Sequence, residues 1–210
     1  MCKNAPVATT RNPGRRGDDG RRAELIEAAS RVVARDGIAA ATTRRIAEEA
    51  GVPSGLVHYW FAGKDDLLQE VLAATLGTIE AAAAPGTGEH DLLDRLKAAF
   101  QVVTENERGG QIALYEMTTW ALRNPELTHI AEQQYTAYRR VGTEAAASWI
   151  AASQAQLPAG TAVVGQFLSA LFDGLVLAWL ADPEHTDVDG VLTLVSTLMA
   201  QFVPAPSPIP

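Results

Sequence analysis

The sequence is poor in cysteine and contains no strand-like alternation of apolar and polar residues. Among 210 residues the single cysteine is Cys2, which excludes an internal disulfide and favours a reducing compartment such as the cytoplasm. No apolar run follows the basic residues near the N-terminus, so a signal peptide is not expected. Apolar residues recur instead at helical spacing, and no repeat of 20 to 50 residues is present. The expected fold class is all-α.

Residues arranged for catalysis or metal binding are also scarce. The four histidines are scattered along the chain without metal-ligand spacing, and no Ser/His/Asp set is apparent. The neighbouring acids Glu48 and Glu49 lie in a predicted helix, where adjacent side chains diverge rather than flank a bond. We therefore expect no enzymatic activity, no metal and no cofactor.

Basic residues are concentrated in the first third of the chain. The net charge is −8, yet residues 1–66 hold 11 Lys and Arg against 9 Asp and Glu, and the remainder holds 6 against 16. An acidic protein with one basic end is typical of a protein that binds a polyanion at that end. On charge alone, a solvated N-terminal surface explains the pattern equally well.

Glycine and proline divide the chain into four parts. Residues 1–20 are rich in Pro, Gly and Arg and are expected to form a flexible basic arm. Residues 21–66 form a small helical unit, and residues 67–203 a larger one that begins with a helix over 65–84 and continues after a linker at 85–90. The tail at 204–210 is expected to be loose. In the larger unit, further helices are predicted at about 91–107, 110–123, 126–156, 160–181 and 188–203.

Two short helices with a tight turn between them are predicted at 43–50 and 54–60. Thr42 or Thr43 caps the first helix, and Gly51 supplies the turn residue that tolerates a positive φ. This spacing is typical of a helix-turn-helix. Val57 and Phe61 are the expected inward pair of the second helix, which leaves a polar and aromatic face open beside basic residues. Such a face fits the major groove of DNA and its phosphates.

The stretch "TTRRIAEEAGVPSGLVHYWFAGKDDLL" (42–68) resembles the DNA-binding module of the tetracycline-repressor family. The capping Thr, the "IA..AGV" helix and turn, the aromatic-aromatic-Phe run and the following Lys occur in the family's order, over about residues 21–68. The rest of the chain resembles the family in helix count, helix lengths and the segment "LFDGL" (171–175). The resemblance implies a homodimeric transcription factor, most often a repressor, that a small ligand releases from operator DNA.

The resemblance also implies roles for individual residues in DNA binding. Pro53, His58 and Trp60 depart from the family's usual capping Ser or Thr, Tyr and His. The remaining positions match phosphate-contacting and base-reading positions of the motif. The candidate DNA-binding residues are Thr43, Arg44, Arg45, Ser54, Gly55, Leu56, His58, Tyr59, Trp60 and Lys64.

The last two predicted helices are the expected dimer face. Apolar stripes on 160–181 and 188–203 would form a four-helix bundle across a two-fold axis, although both stripes could also be intramolecular core. The candidate interface residues are Phe167, Leu171, Gly174, Ala178, Leu192, Val195 and Met199.

Aromatic residues between the helix-turn-helix and this face indicate an effector cavity for a small, largely apolar ligand. Two acids in apolar surroundings, Glu116 and Asp173, would orient a cationic or hydroxyl-bearing ligand, while Asp173 has an alternative role in packing. The candidate ligand-binding residues are Phe100, Tyr115, Glu116, Trp120, Trp149, Phe172 and Asp173.

The segment 161–181 is long enough to span a membrane, but Gln166, Ser169, Asp173 and Gly174 interrupt it. We expect a buried interface helix and no membrane partner. The expected partners are a double-stranded DNA operator, a small-molecule effector and a second copy of the chain. The alternative is a helix-turn-helix module that binds DNA or protein without any effector.

Overall fold

The structure, a computed structural model, describes residues 14–82, 92–105 and 108–204. These ranges contain no strand, which confirms the all-α fold class. They contain one 3₁₀ turn, at Pro125–Leu127. The α-helices of the described ranges are α1 (Gly14–Ala40), α2 (Thr43–Ala50), α3 (Ser54–Trp60), α4 (Lys64–Ala82), α5 (Leu92–Glu105), α6 (Arg108–Leu122), α7 (Thr128–Ser153), α8 (Thr161–Ala181) and α9 (Val188–Ala200).

The first helix begins earlier than the sequence predicts. Residues 14–20, which were expected to belong to the flexible arm, are helical, and the predicted boundary is corrected accordingly. Both prolines of the predicted arm precede Gly14, so no later residue of that stretch is barred from a helix. Residues 1–13 lie outside the described residues, as do the linker at 85–90 and most of the predicted tail. The predicted ends of the later helices agree with the structure to within three residues.

Gly37 breaks the regular geometry of α1. Its φ of 81° and ψ of 167° lie outside the helical region, in a conformation that L side chains rarely adopt. The chain resumes a last turn that ends at Ala40 and then enters α2. The kink therefore separates the long part of α1 from the segment that leads into the helix-turn-helix.

A first apolar core joins α1 to α4 with α6 and the beginning of α7. The short α3 has too few residues to be stable in isolation and is held by Val57 and Phe61, which are almost fully buried. This confirms the predicted inward pair. Leu25, Val33 and Ile46 complete the same core around α1 and α2.

A second apolar core lies between α5, the C-terminal half of α7, α8 and α9. Helices α7 and α8 cross closely at Gly142 and Gly165, where an added Cβ on either glycine would overlap atoms of the other helix. Ser169 Oγ donates to the carbonyl oxygen of Tyr138 across the same crossing, at 2.8 Å. This contact fixes the position of Asp173, one helical turn further along α8.

Helix α8 is long and apolar enough, by length and composition, to cross a membrane, with a mean hydropathy of 1.7 in its most apolar window. A core helix or an interface helix of a water-soluble protein passes the same test. One side of α8 contributes Val164, Leu168, Leu175 and Val176 to the second core. The apolar composition of that side is therefore accounted for by packing within the chain.

Candidate nucleic-acid interface and effector site

Local hydrogen bonds define the helix-turn-helix. Thr42 is the N-cap of α2, because its Oγ1 accepts a hydrogen bond from the Arg45 N–H at 3.2 Å. Gly51 ends α2 in the left-handed conformation with a φ of 67°, and the Val52 N–H then donates to the Ala47 carbonyl at 3.0 Å. The side chain of Ala47 is buried and small, which lets α3 approach α2 closely.

The predicted base-reading face of α3 is open to solvent. Ser54, Gly55, His58 and Tyr59 are exposed, and Tyr59 has 71% of its surface accessible. Leu56 is half-buried. Pro53 precedes the helix and provides no side-chain cap, because it has no hydroxyl group. The structure thus places the predicted N-terminal and central residues of α3 on one accessible surface.

Trp60 does not belong to that open face. Its ring packs against the first core and meets the ring of Tyr59 edge-on, with the centroids 5.1 Å apart. Its indole N–H is buried, without a hydrogen-bond partner among the described residues. The assignment of Trp60 to DNA binding is therefore corrected: the side chain supports Tyr59 from behind.

The two arginines at the start of α2 have different surroundings. Arg44 is largely exposed and pairs with Glu48 one turn along the same helix, at 3.0 Å. Exposed pairs of this kind contribute little to stability, so Arg44 remains available to a phosphate. Arg45 instead pairs with Asp36 of α1 at 2.9 Å, and its guanidinium is engaged within the chain.

Arg45 belongs to an ion-pair network that joins α1 to α2. Arg35 pairs with both Asp36 and Glu49, at 2.9 and 3.0 Å, and Arg31 pairs with Glu49 at 3.0 Å. The hydrogen bond from Arg35 lowers the pKa of Asp36, and that from Arg31 contributes most to the lowered pKa of Glu49. The same two acids raise the pKa of Arg35. The network links α1 to α2 at the surface of the chain.

Ile38, just after the kink, is held at both of its backbone polar groups. Glu116 of α6 accepts a hydrogen bond from the Ile38 N–H at 2.8 Å, and Lys64 Nζ donates to the Ile38 carbonyl at 2.6 Å. Glu116, which was predicted to bind the effector, thus faces the DNA-binding unit and does not line the candidate effector cavity. Lys64, predicted to contact the DNA backbone, is half-buried against Ile38 in the DNA-free chain.

The preceding residue of α6, Tyr115, points toward α8. Its hydroxyl donates to the backbone carbonyl of Asp173 at 2.7 Å. Tyr135 of α7 donates to Asp173 Oδ2 at 2.6 Å, and its ring meets that of Tyr138 with centroids 5.6 Å apart. Burial is the main cause of the raised pKa values of all three tyrosines, and raises the pKa of Tyr138 to about 12. The phenols of Tyr115 and Tyr135 therefore stay protonated and donate to Asp173, while the Tyr138 hydroxyl accepts a hydrogen bond from Gln134.

Other predicted cavity residues surround this cluster or lie apart from it. The Phe100 ring contacts that of Phe172, with centroids 6.5 Å apart, next to Asp173. Trp149 is buried in the second core. Trp120 packs against the first core. Neither Trp120 nor Glu116 lines the candidate effector cavity, because both lie on the side of α6 that faces the DNA-binding unit.

Helix α7 contributes polar contacts that the sequence does not predict. Tyr135, Tyr138 and Gln134 were not among the predicted ligand-binding residues. Gln134 is buried, accepts a hydrogen bond from Thr118 Oγ1 at 2.9 Å and donates to the Tyr138 hydroxyl at 3.0 Å. The spacing of Gln134 and Tyr138, one turn apart, was the available signal.

An open cleft of about 250 Å³ is lined in part by Tyr135. Its walls come from the end of α6 and the first half of α7. They are mainly apolar, with Thr, Glu and Arg side chains among them. The lining residues are Thr118, Leu122, Thr128, Ala131, Glu132, Tyr135 and Arg139. Among the described residues, no group of three or more His, Cys, Asp or Glu could hold a metal ion.

The predicted dimer residues of α8 and α9 differ in their exposure, and those of α9 need correction. Phe167, Gly174 and Ala178 are exposed on α8, and Leu171 is half-buried. Leu192, Val195 and Met199 are buried within the chain and are not available to a partner. The opposite side of α9 exposes Leu194 and Leu198 instead, because this helix is apolar on most of its circumference.

Two family profiles match the chain. The profile of bacterial regulatory proteins of the tetR family matches residues 25–71. The profile of the tetracyclin repressor-like C-terminal domain matches residues 87–201. Together they cover both structural units, so the similarity extends well beyond the helix-turn-helix.

Curated and solved proteins give the same result. The nicotine-responsive transcriptional repressor HdnoR of Paenarthrobacter nicotinovorans is 30% identical over 176 residues, which are 80% of this chain and 89% of that protein. The crystal structure of the multidrug binding protein EbrR complexed with imidazole is 27% identical, with a TM-score of 0.63 over 89% of this chain and 97% of the other. The crystal structure of a putative TetR-family regulator from Rhodococcus sp. has a TM-score of 0.71 at 22% identity, over 86% and 99% of the two chains.

Proposed function

Because the chain belongs to the tetR family of bacterial regulatory proteins and is a non-enzymatic, ligand-responsive DNA-binding regulator, we propose that it represses transcription as a homodimer on a near-palindromic operator. A small, largely apolar effector releases it. The observation that carries this proposal is the exposure of α3 on one end of the chain together with an uncovered apolar face on α8 and α9.

The uncovered face fits a second copy of the chain. Val163, Phe167, Leu177, Leu194 and Leu198 are each between 49% and 59% exposed. The three residues from α8 lie at intervals of four and ten positions, which place them on one side of the helix. Apolar side chains gathered on one surface mark an interaction site. Packed across a two-fold axis, α8 and α9 of each chain form a four-helix bundle.

A dimer of this kind presents two copies of α3 to successive major grooves. Half-sites about 34 Å apart, one turn of DNA, match such two-fold symmetry. The proposed contacts retain Thr43, Arg44, Ser54, Gly55, Leu56, His58 and Tyr59. Lys64 joins them if its ammonium exchanges the Ile38 carbonyl for a phosphate. Arg45 acts indirectly, by fixing α2 on α1, and Trp60 acts by supporting Tyr59.

The proposed effector site is the aromatic cluster formed by α5, α6, α7 and α8. Phe100, Tyr115, Phe172 and Asp173 meet there, and Tyr135 joins them from α7. Two similar proteins support a small ring compound as the effector, since one is named nicotine-responsive and the other was solved with imidazole. The aromatic rings of the cluster would make apolar contacts with the effector, and the tyrosine hydroxyl groups would orient it by hydrogen bonds.

Helix α6 is the proposed connection between effector and operator. Tyr115 on one side of α6 holds the effector cluster, and Glu116 on the other side holds Ile38 of the DNA-binding unit. An effector that binds a shifted α6 more tightly therefore also shifts the segment around Ile38, which leads into α2 and α3. A tenfold loss of operator affinity requires about 1.4 kcal/mol of differential binding.

Selection of bound sequences from random DNA duplexes tests the proposal. The expected result is an enriched, near-palindromic sequence bound by two chains per duplex. Titration of small ring compounds against the labelled duplex then tests release. Selected sequences without two-fold symmetry, or one chain per duplex, would contradict the proposed dimeric recognition.

A further inference from the structure

Asp173 is the only charged residue of α8. All twenty other residues of the helix are uncharged, and a carboxylate among apolar groups is costly to bury unless it is paired. The ion pairs seen among the described residues involve other carboxylates. The partners of Asp173 are instead two tyrosine hydroxyls, one on Oδ2 and one on its backbone carbonyl.

A tyrosine hydroxyl satisfies a carboxylate oxygen as a donor but does not neutralise its charge. The side chain of Asp173 is half-buried, so water compensates the charge only in part. The rings of Tyr135 and Tyr138 meet edge-on, and the Tyr135 hydroxyl brings this aromatic pair close to the carboxylate. A carboxylate close to aromatic side chains is a favourable environment for an organic cation.

Tyr135 contacts both this carboxylate and the open cleft. Its hydroxyl is bound to Asp173 Oδ2, and the same side chain lines the open cleft of about 250 Å³. That volume is below the roughly 300–1,000 Å³ of sites for drug-sized ligands. It fits a molecule with about one ring.

We propose that Asp173, reached through the cleft at Tyr135, is the binding site for a small protonated amine that carries a single apolar ring. The ammonium group pairs with the Asp173 carboxylate and shares or replaces the hydrogen bond from Tyr135, while the ring lies against the apolar wall of the cleft. This inference rests on the proposed function, since it names the chemical class of the effector.

The cleft contains two charged side chains that compete with this assignment. Glu132 is an exposed carboxylate on the cleft wall, which would attract the same cation without any role for Asp173. Arg139 lies on the same wall and would attract an anion. A test must therefore separate the half-buried carboxylate of Asp173 from the exposed one of Glu132, and a cation from an anion.

Three ring compounds of nearly equal size provide that test: benzylamine, benzyl alcohol and benzoate. Binding to the full-length, DNA-free protein is measured by isothermal titration calorimetry at neutral pH. We expect benzylamine to bind at least about tenfold more tightly than the other two, a difference of about 1.4 kcal/mol. Equal affinities, or a preference for benzoate, would overturn the proposal.

Two isosteric variants then locate the carboxylate. Asp173→Asn is expected to reduce the preference for benzylamine to less than about threefold, and to reduce it further than Glu132→Gln does. A preference that survives Asp173→Asn, or that disappears in Glu132→Gln, places the cation on the cleft wall and overturns the proposal. Circular dichroism of each variant verifies that the helices are intact.

Tyr135→Phe provides a second measurement if Asp173→Asn does not fold. This variant removes the hydroxyl that competes for Oδ2 and keeps the ring, so benzylamine affinity is expected to stay equal or to rise. A loss of more than about twofold would overturn the proposed exchange at Oδ2, because the amine would then depend on the hydroxyl instead of competing with it.

Operator release is measured separately from binding. If benzylamine binds as described but leaves the affinity for the selected operator unchanged, the amine-binding site is supported. The proposal that the bound amine releases the operator is then contradicted. If no operator is found by selection, the DNA-binding proposal fails while the calorimetric result is unaffected.

Discussion

Glu116 Oε2 and the backbone N–H of Ile38 are 2.8 Å apart, and this hydrogen bond joins the effector-binding unit to the DNA-binding unit. Ile38 directly follows Gly37, whose positive φ breaks α1, so its N–H lacks the regular helical partner. The carboxylate supplies that partner from α6, and Lys64 holds the carbonyl of the same residue. The orientation of the segment leading into α2 thus depends on groups from both α6 and α4.

Removal of the Glu116 acceptor should destabilise the fold. In Glu116→Ala the Ile38 N–H loses its partner, and an unpaired backbone group in a half-buried position costs about 1–3 kcal/mol of unfolding free energy. Glu116→Gln keeps an acceptor oxygen and should cost clearly less. Urea unfolding followed by circular dichroism measures the unfolding free energies of both Glu116 variants. Glu126→Ala in the exposed 3₁₀ turn is the control. Equal losses in the Ala and Gln variants would show that the hydrogen bond is not the cause.

Helix α6 also touches α1 at its own N-terminal end. A Cβ on Gly109 would overlap the backbone carbonyl of Ala34, while nothing lies within 4 Å of the corresponding position on Gly110. Gly109→Ala should therefore push α6 from α1 and lower the unfolding free energy by more than about 1 kcal/mol. Gly110→Ala, in the same helix, should be neutral or stabilising by about 0.5–1 kcal/mol, because alanine favours helix. Thermal unfolding of the pair measures the difference, and similar shifts in both variants would contradict the close contact.

The helix-turn-helix could be predicted because its signals are local. Thr42, Gly51 and the inward pair Val57 and Phe61 each act through neighbours within a few residues, and the structure places them as predicted. Trp60 could not be placed in this way. Its position in the short α3 suits either side, and only the surrounding core decides that its ring turns inward.

Residues that depend on the packing of distant helices were predicted less well. Tyr115 and Glu116 are adjacent on α6 yet point toward different units, and composition alone does not assign a direction to either. In α9 the stripe of Leu192 and Val195 and the stripe of Leu194 and Leu198 are equally apolar. Periodicity identifies two such stripes but does not decide which one faces the chain's own core.

Charges introduced on the exposed face of α8 and α9 should dissociate the dimer. Phe167→Glu and Leu198→Glu each place a carboxylate among apolar groups at the proposed interface, where an unpaired buried charge is costly. Analytical ultracentrifugation should show a monomer at concentrations where the wild type is dimeric. Leu122→Glu, which changes an exposed leucine of the cleft, is the matched control and should remain dimeric. A dimer that persists in both interface variants would exclude this face.

Arg44 and Arg45 should respond differently in operator binding. Arg44 is free to contact a phosphate, because only an exposed pair with Glu48 engages it. Arg44→Ala should therefore reduce the dependence of log affinity on log salt by about 0.9 for each chain. Arg45→Ala breaks the pair with Asp36 and should leave that slope nearly unchanged while lowering stability. Titrations of the selected operator at several salt concentrations measure the slopes, and a larger slope change for Arg45→Ala would reverse the assignment.

The ion-pair network between α1 and α2 should make part of the stability depend on pH. Hydrogen bonds from arginines lower the pKa of Asp36 below 3.8 and that of Glu49 below 4.5 in the folded chain. Because these folded-state pKa values are depressed, the stabilisation is present above the unfolded-state values and is lost as the pH falls through the folded-state values.

Replacement of both acids, by Asp36→Asn and Glu49→Gln, should therefore lower the unfolding free energy at neutral pH. The difference from the wild type should shrink as the pH falls below about 4.5. Urea unfolding across this range measures the difference, and Glu27→Gln on the exposed side of α1 is the control. Since the arginines are about half exposed and the two acids are partly exposed, added salt should weaken the effect as well. A difference that is constant from neutral to acidic pH would mean that the variants act through packing and not through the charges of Asp36 and Glu49.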